Sequence, residues 1–160
     1  MDFRIEEDET LSGNKAKIYS VRDEGDELTY LEHFVEDNIN KYPNEVGNIL
    51  EKLNIMGHYT GCESNLFKHN EGRAGDGVVC LKDDSKRFRL YCMYFGDKLV
   101  ICGSGGWKSP NIKAYQEDEI LNNAAEKMKN VAAVLNKFLQ SGIMDIESDG
   151  TINIYAEDYE

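Results

Sequence analysis

The segment from Arg87 to Cys102 is the part of this sequence that most narrows what the chain can fold into. Aromatic and aliphatic residues fill both ends of the segment, and Gly96-Asp97 stands between them. A glycine in the first position of such a pair is typical of a two-residue type II′ turn, so the segment predicts a β-hairpin. Side chains alternate between the two faces of a strand. We expect one face of the first arm to pack in the hydrophobic core and the other face to carry a functional site. The apolar face carries Phe88, Leu90, Cys92 and Tyr94, and the other carries Arg87, Arg89, Tyr91 and Met93.

The length and charge of the chain limit its class. At 160 residues it is long enough to bury the core of one domain. Its net charge of −12 argues against a general nucleic-acid binder, because affinity for phosphate backbones comes mostly from Lys and Arg. Residues 66–115, however, hold nine basic and five acidic residues, which is +4 locally and leaves −16 for the rest. These basic residues are equally consistent with an uneven charge distribution that serves the function of the protein and with an ordinary solvated surface.

The cysteines and the N-terminus bear on the cellular compartment. The four cysteines show no CxxC spacing, and three of them, Cys80, Cys92 and Cys102, stand in apolar, strand-like runs, whereas Cys62 does not. We expect reduced, buried thiols in a cytoplasmic protein, without a disulfide framework, a metal ion or a cofactor. The first residues resemble no signal peptide, and no apolar run is long enough to cross a membrane, so no membrane association is expected.

Apolar spacing in the first part of the chain predicts a hairpin followed by two helices. The hairpin and an acidic link occupy residues 1–27. Thr29 followed by Glu32 fits a capping box at the start of the first helix. Pro43 suits the first turn of the second helix, which Gly57 is expected to end. The short connection makes the two helices antiparallel.

The second part predicts several strands and one long helix. Residues 61–77 are polar and contain several glycines, which favours a loop. The glycine-rich run Gly103-Ser104-Gly105-Gly106 is expected to end the last central strand as a flexible turn. A long helix is expected from about Asp118 to Gln140, followed by an acidic tail. The predicted strands lie at 66–69, 78–81, 86–95, 99–102 and 151–155.

These elements predict an α+β fold. It consists of an N-terminal hairpin, two antiparallel helices packed on an antiparallel sheet, and a long C-terminal helix, with the helices on one face of the sheet. The chain then divides into a hairpin extension (1–27), an α+β core (28–115) and a C-terminal helix with an acidic tail (116–160), all within one globular domain.

The run from Tyr30 to Lys108 resembles the RelE/HigB-like toxin superfamily, and most of all its phage-derived branch. The resemblance lies in two helices that end near a glycine, Arg-Leu-Tyr at 89–91, Gly-Asp-Lys-Leu-Val at 96–100 and a basic residue after the last strand. It implies a small, cytoplasmic bacterial toxin that cuts messenger RNA without a metal ion, usually on the ribosome. It also implies a cognate antitoxin that holds the toxin inactive.

The resemblance further implies which residues form the site. Cleavage of RNA by its own 2′-hydroxyl needs a base for that proton, cations for the phosphate and an acid for the departing 5′-oxygen. Arg89 matches the family's strand arginine, Lys108 its basic residue beyond the last strand, and Lys68 its lysine before the first central strand. These cations are expected to converge in one concave patch on the sheet face away from the helices. The implied catalytic set is Arg87, Arg89 and Lys108 on phosphate, Lys68 beside them, and Tyr91 or His69 for proton transfer.

The sequence also departs from the family pattern. Cys92 replaces the tyrosine expected three residues after the strand arginine, and glycines replace a basic cluster after the last strand. One fold occurs with many different functional sites, so a protein can keep its fold after it has lost the catalytic residues. The alternative is therefore a catalytically silent member of the same fold that binds a protein or a nucleic acid. Arg87 and Arg89 would then be solvent-facing residues paired with Asp83, Asp84 or acidic helix positions.

Overall fold

The computed structural model of this protein describes residues 2–69, 77–110 and 118–155. Three sequence expectations lie partly outside these residues. The first is the middle of the loop predicted at 61–77, with Arg73. The second is the stretch before the C-terminal helix, with Lys113, and the third is the end of the acidic tail.

The described chain forms three α-helices and eight strands. The helices are α1 (Tyr30–Asn38), α2 (Pro43–Ile55) and α3 (Glu119–Ser141). A π-helical turn (Met56–Thr60) continues α2, and a 3₁₀ turn (Ser64–Leu66) follows. The strands are β1 (Phe3–Glu7), β2 (Lys17–Asp23), β3 (Phe67–Lys68), β4 (Val79–Lys82), β5 (Phe88–Phe95), β6 (Leu99–Trp107), β7 (Met144–Ile146) and β8 (Ile152–Ile154).

Six strands form one mixed sheet in the order β1-β2-β6-β5-β4-β3, and β7 and β8 form a separate hairpin. β2 and β6 are parallel, whereas every other neighbouring pair is antiparallel. The α+β class is confirmed, but the expectation of a purely antiparallel sheet is wrong. The parallel pair arises because β3, β4, β5 and β6 alternate in direction, so that β6 runs in the same direction as β2 when it pairs with the edge of β2 that β1 leaves open.

The sheet is covered on both faces, so the expectation that all helices share one face is also wrong. Residues of α1 and α2 pack with Leu81, Leu90 and Val100, which point to one face. Residues of α3 pack with Tyr91 and Ile101, which point to the other. Along β4, β5 and β6, most of the residues that point to either face of the sheet are apolar and buried. Both faces therefore need a covering layer.

Helix ends follow the sequence signals. The Thr29 hydroxyl accepts from the Glu32 N–H at 3.1 Å and the Glu32 carboxylate accepts from the Thr29 N–H at 2.8 Å, so the capping box of α1 is confirmed. The Asp118 side chain accepts from the Leu121 N–H at 3.0 Å and caps the start of α3. Gly142, with φ 81°, ends α3 in the left-handed conformation.

Gly57 does not end the helical segment, contrary to expectation. The π-helical turn continues through it, and its carbonyl accepts from the N–H groups of Lys15 and Ala16 at 2.9 and 3.1 Å. A Cβ at this position would lie 1.9 Å from the Leu11 carbonyl oxygen. The glycine therefore permits close contact between helix and loop instead of breaking the helix.

The glycine-rich run 103–106 is part of β6, so the expectation that it ends the strand is wrong. β6 has one extra residue opposite Tyr91, because Leu90 faces Gly105 whereas Cys92 faces Cys102. A Cβ on Gly103 would lie 2.9 Å from the Met128 sulfur of α3, and one on Gly105 would lie 1.7 Å from the Arg89 carbonyl oxygen. Glycine is needed here because neighbouring groups occupy the space of a side chain.

The connection between β5 and β6 has three residues rather than the two expected. Phe95 pairs with Leu99, which leaves Gly96, Asp97 and Lys98 in the turn. The carbonyls of Asp97 and Lys98 accept from the N–H groups of Cys62 and Lys17 at 2.8 and 2.7 Å. Contacts with other parts of the chain therefore stabilise the longer turn.

All four cysteines are buried and free, and their burial was expected. Burial raises the pKa of both the Cys62 and the Cys80 thiols to about 12. Within the described ranges, no helix is both long and apolar enough to cross a membrane.

We expect the thiols of the native protein to resist alkylation. The thiolate is the nucleophile, and a thiol with a pKa of about 12 is ionised in roughly one molecule in ten thousand at about pH 8. Mass spectrometry after brief treatment with iodoacetamide should find native protein unmodified and denatured protein modified at all four cysteines. Rapid labelling of Cys80 in native protein would contradict its burial.

Candidate functional site

The strand register brings several cations to one face of the sheet. Lys82 pairs with Arg89, and Arg89 pairs with Gly106. Directly opposed residues of antiparallel strands point to the same face, so these three positions share a face. Lys68 pairs with Cys80, two residues before Lys82, and therefore points the same way.

Lys108 lies on this face as well. It follows Gly106 by two residues, just beyond the end of β6, and its positive charge opposes the rise in the pKa of the buried Cys80 thiol, which points to this face. Trp107, between them, stacks on Tyr42 on the opposite face, with the ring planes 8° apart. We call the set Lys68, Lys82, Arg89 and Lys108 the cationic face.

The cations of this face act on each other and on a buried thiol. Burial raises the pKa of Cys80, and the positive charges of Lys82, Lys68 and Lys108 oppose that rise. Burial lowers the pKa of Lys82, and the charge of Lys68 lowers it further. The ammonium groups of Lys68 and Lys82 are therefore close enough to repel each other, and an anion between them would relieve this repulsion.

Arg89 is the buried member of the cationic face. Only 4% of its surface is exposed, and burial lowers the pKa of its guanidinium. A cation removed from water interacts strongly with an anion, because the local dielectric constant is low and the guanidinium offers two parallel donors. Lys68, in contrast, is exposed, and Lys82 and Lys108 are half-buried. The face thus offers one buried guanidinium and three more accessible ammonium groups.

The structure corrects the expected location of this face. It is the α3 face of the sheet, not a face away from the helices. A Cβ on Gly106, the neighbour of Arg89 in β6, would lie 3.4 and 3.8 Å from side chains of Ile120 and Leu121 in α3. Apolar residues on this side of β5 and β6 require a cover, and α3 supplies it.

The two residues expected to transfer protons do not stand open at the cationic face. Tyr91 shares the face but is fully buried beneath α3. His69 lies on the opposite face, where its Nε2 is 2.7 Å from the Tyr94 hydroxyl. The other histidines are also elsewhere: His33 contacts Asp26, and His58 contacts the Thr10 carbonyl.

Arg87 lies apart from the other predicted cations. It precedes β5, is exposed, and borders a polar pocket together with Asn48 and Asp84 beside α2. The expected pairing of Asp83 with an arginine side chain is replaced by backbone contacts, since its carboxylate accepts from the N–H groups of Arg87 and Phe88 at 2.9 and 2.8 Å.

Asp84 also has a partner other than an arginine. Its carboxylate lies 2.9 Å from the Lys52 ammonium, and this ion pair lowers the pKa of Asp84. Both acidic residues next to Arg87 therefore hold the β4–β5 turn and its contact with α2.

Lys82 is the member of the cationic face that sequence reasoning missed as a site residue. The sequence indication for Lys82 was its position two residues after Cys80 at the end of the strand, because alternation along a strand puts these two residues on the same face. The register with Arg89 was needed to recognise it, because strand pairing depends on contacts distant in sequence.

Comparison of this chain with protein-family models, with curated proteins and with solved structures finds no significant match.

Proposed function

We propose that this protein is a RelE/HigB-like, toxin-type protein whose cationic face holds the phosphates of RNA. The observation that carries the proposal is the convergence of Lys68, Lys82, Arg89 and Lys108 on one sheet face in a chain of net charge −12. An acidic chain that collects cations in one place has a local preference for anions that its overall charge conceals. Messenger RNA, free or on the ribosome, is the proposed ligand, and an antitoxin protein the proposed regulator.

In its enzymatic form, the proposal is metal-independent cleavage of messenger RNA. Arg89 and Lys108 would stabilise charge on the phosphate, and the RNA 2′-hydroxyl would attack the adjacent phosphorus. The proton-transfer step is the demanding one, because Tyr91 is buried and His69 is on the opposite face. Contact of either Tyr91 or Arg89 with RNA would require displacement of the residues that cover them.

The positions of Tyr91 and His69 favour a second candidate, a catalytically silent member of this fold that binds RNA without cutting it. One experiment separates the two. Purified protein is incubated with a messenger RNA fragment, alone and on ribosomes, and with a copy in which 2′-deoxynucleotides block self-cleavage. Cuts in the RNA but not in the 2′-deoxy copy support the nuclease; equal binding to both with no cuts supports the silent module.

The salt dependence of RNA binding tests the cationic face itself. Release of counterions from four phosphates predicts a slope of about −3 for the logarithm of the association constant against the logarithm of salt concentration for single-stranded RNA. Lys82→Ala should lower the affinity and reduce the slope by about 0.7. Fluorescence anisotropy with a labelled oligonucleotide measures both quantities. Lys137→Ala, an exposed lysine of α3, is the matched control and should leave the slope unchanged; equal effects of the two variants would reject the face.

A further inference from the structure

A groove separate from the cationic face lies between the β1–β2 connection, α1 and α2, and has a volume of about 420 Å³. Leu28, Val35 and Leu50 line it and are only half-buried. Leu11 and Leu31, which are buried in the core beneath, form its floor. The groove therefore presents apolar surface that continues directly from the packed core.

Carboxylates border this groove and an adjoining depression, which share Asp8 and Glu32. The bordering carboxylates are Glu6, Glu7, Asp8, Glu32 and Glu36. Glu6 is neutralised by Arg22 at 2.7 Å. Within residues 2–69, 77–110 and 118–155, no lysine or arginine forms an ion pair with the other four. The groove thus keeps uncompensated negative charge beside its apolar lining.

Two of these carboxylates are held in place by the backbone. Asp8 accepts from the N–H groups of Thr10 and Leu11 at 3.1 and 3.0 Å, and Glu32 is part of the capping box of α1. Glu36 lies one helical turn after Glu32, on the same side of α1. A partner would therefore meet charges whose positions are set before binding, which reduces the entropy lost on association.

Charge complementarity and spacing define the occupant. The occupant must cover apolar side chains and bring cations to the acidic border. Leu31 and Val35 lie on one side of α1, about 6 Å apart along its axis, and Leu28 just before the helix extends this apolar row. A helix with apolar residues at i, i+4 and i+7, flanked by lysine or arginine, has the matching pattern. We propose that this groove binds a basic, amphipathic helical segment of a partner protein.

The proposal is independent of RNA binding, since none of its residues belongs to the cationic face. The test uses a synthetic helical peptide longer than about 15 residues, with leucine at i, i+4 and i+7 and lysine on both flanks. Titration into the full chain should show saturable binding by calorimetry. Chemical-shift changes should concentrate at Leu28, Val35 and Leu50. The same peptide with every lysine replaced by glutamate should bind at least about tenfold more weakly.

Variants of the chain make the test specific to the groove. Glu7→Lys and Glu36→Lys are at exposed positions and should each lower the affinity for the lysine peptide about tenfold. Glu51→Lys, which makes the same charge change on α2 but does not line the groove, should leave the affinity within about twofold. No saturable binding, equal binding of the two peptides, shifts on another face, or self-association of the chain through the groove would overturn the proposal.

Discussion

Under the proposed nuclease function, induction of the wild-type chain in a bacterial host is expected to arrest growth, and replacement of Arg89 by alanine is expected to relieve that arrest. Arg89 is the buried cation of the cationic face, so its charge would act on a phosphate at this face with little screening by water. Loss of one such group typically costs on the order of 3 kcal/mol of transition-state stabilisation, or about a hundredfold in rate. Growth curves and the rate of cleavage of a messenger RNA fragment measure the effect.

Controls must separate charge from folding, because Arg89 is buried. Arg89→Lys keeps the charge and should retain more activity than Arg89→Met, which keeps most of the side-chain volume without the charge. Lys108→Ala removes a half-buried cation of the same face and should also weaken the arrest. Circular dichroism and thermal unfolding identify variants that fail to fold. A folded wild-type chain that leaves growth and translation unchanged would reject the nuclease and leave the silent binding module.

Gly105→Ala is expected to cause the largest loss of stability of any single methyl addition in β6. The new Cβ would lie 1.7 Å from the Arg89 carbonyl oxygen, a backbone atom that cannot move without breaking the β5–β6 pairing. We expect a loss of about 3 kcal/mol or more, which lowers the unfolding temperature by roughly 6–12 °C. Thermal or urea-induced unfolding followed by circular dichroism measures the change.

Gly47→Ala is the matched control, and its expected effect has the opposite sign. Gly47 lies in α2, and a Cβ there meets no atom within 4 Å. Alanine is favoured over glycine in a helix by about 1 kcal/mol, so this variant should be more stable than the wild type. If Gly105→Ala unfolded at the wild-type temperature, the close approach of β5 and β6 at this position would be wrong. The cationic face would then need to be reconsidered, since Arg89 and Gly106 depend on the same pairing.

The candidate site was only partly predictable. The alternation of β5 placed Arg89 and Tyr91 on one face, and this follows from local geometry alone. Lys82 joins Arg89 through the pairing of β4 with β5, and no spacing along the sequence specifies that register. His69 and Lys68 are adjacent in the sequence, yet adjacent strand residues point to opposite faces, and only the position of β3 showed which face each one takes.

Signals within a few residues of one another determined the elements whose stability is local. The capping box at Thr29 and Glu32 started α1, and Asp118 and Gly142 bounded α3. Backbone hydrogen bonds close to the element satisfy these ends, so the sequence alone specified them.

Only the tertiary structure decided how the elements combine. The parallel pairing of β2 with β6, the packing of α3 on the cationic side of the sheet and the inclusion of 103–106 in β6 all depend on contacts between distant segments. When only the local sequence is considered, a glycine-rich run favours a turn. Here the Arg89 carbonyl and the Met128 side chain occupy the space where a side chain would be, so the same glycines extend a strand. Contacts with atoms that are distant in the sequence therefore determined the conformation of residues 103–106, which the local preference of glycine did not specify.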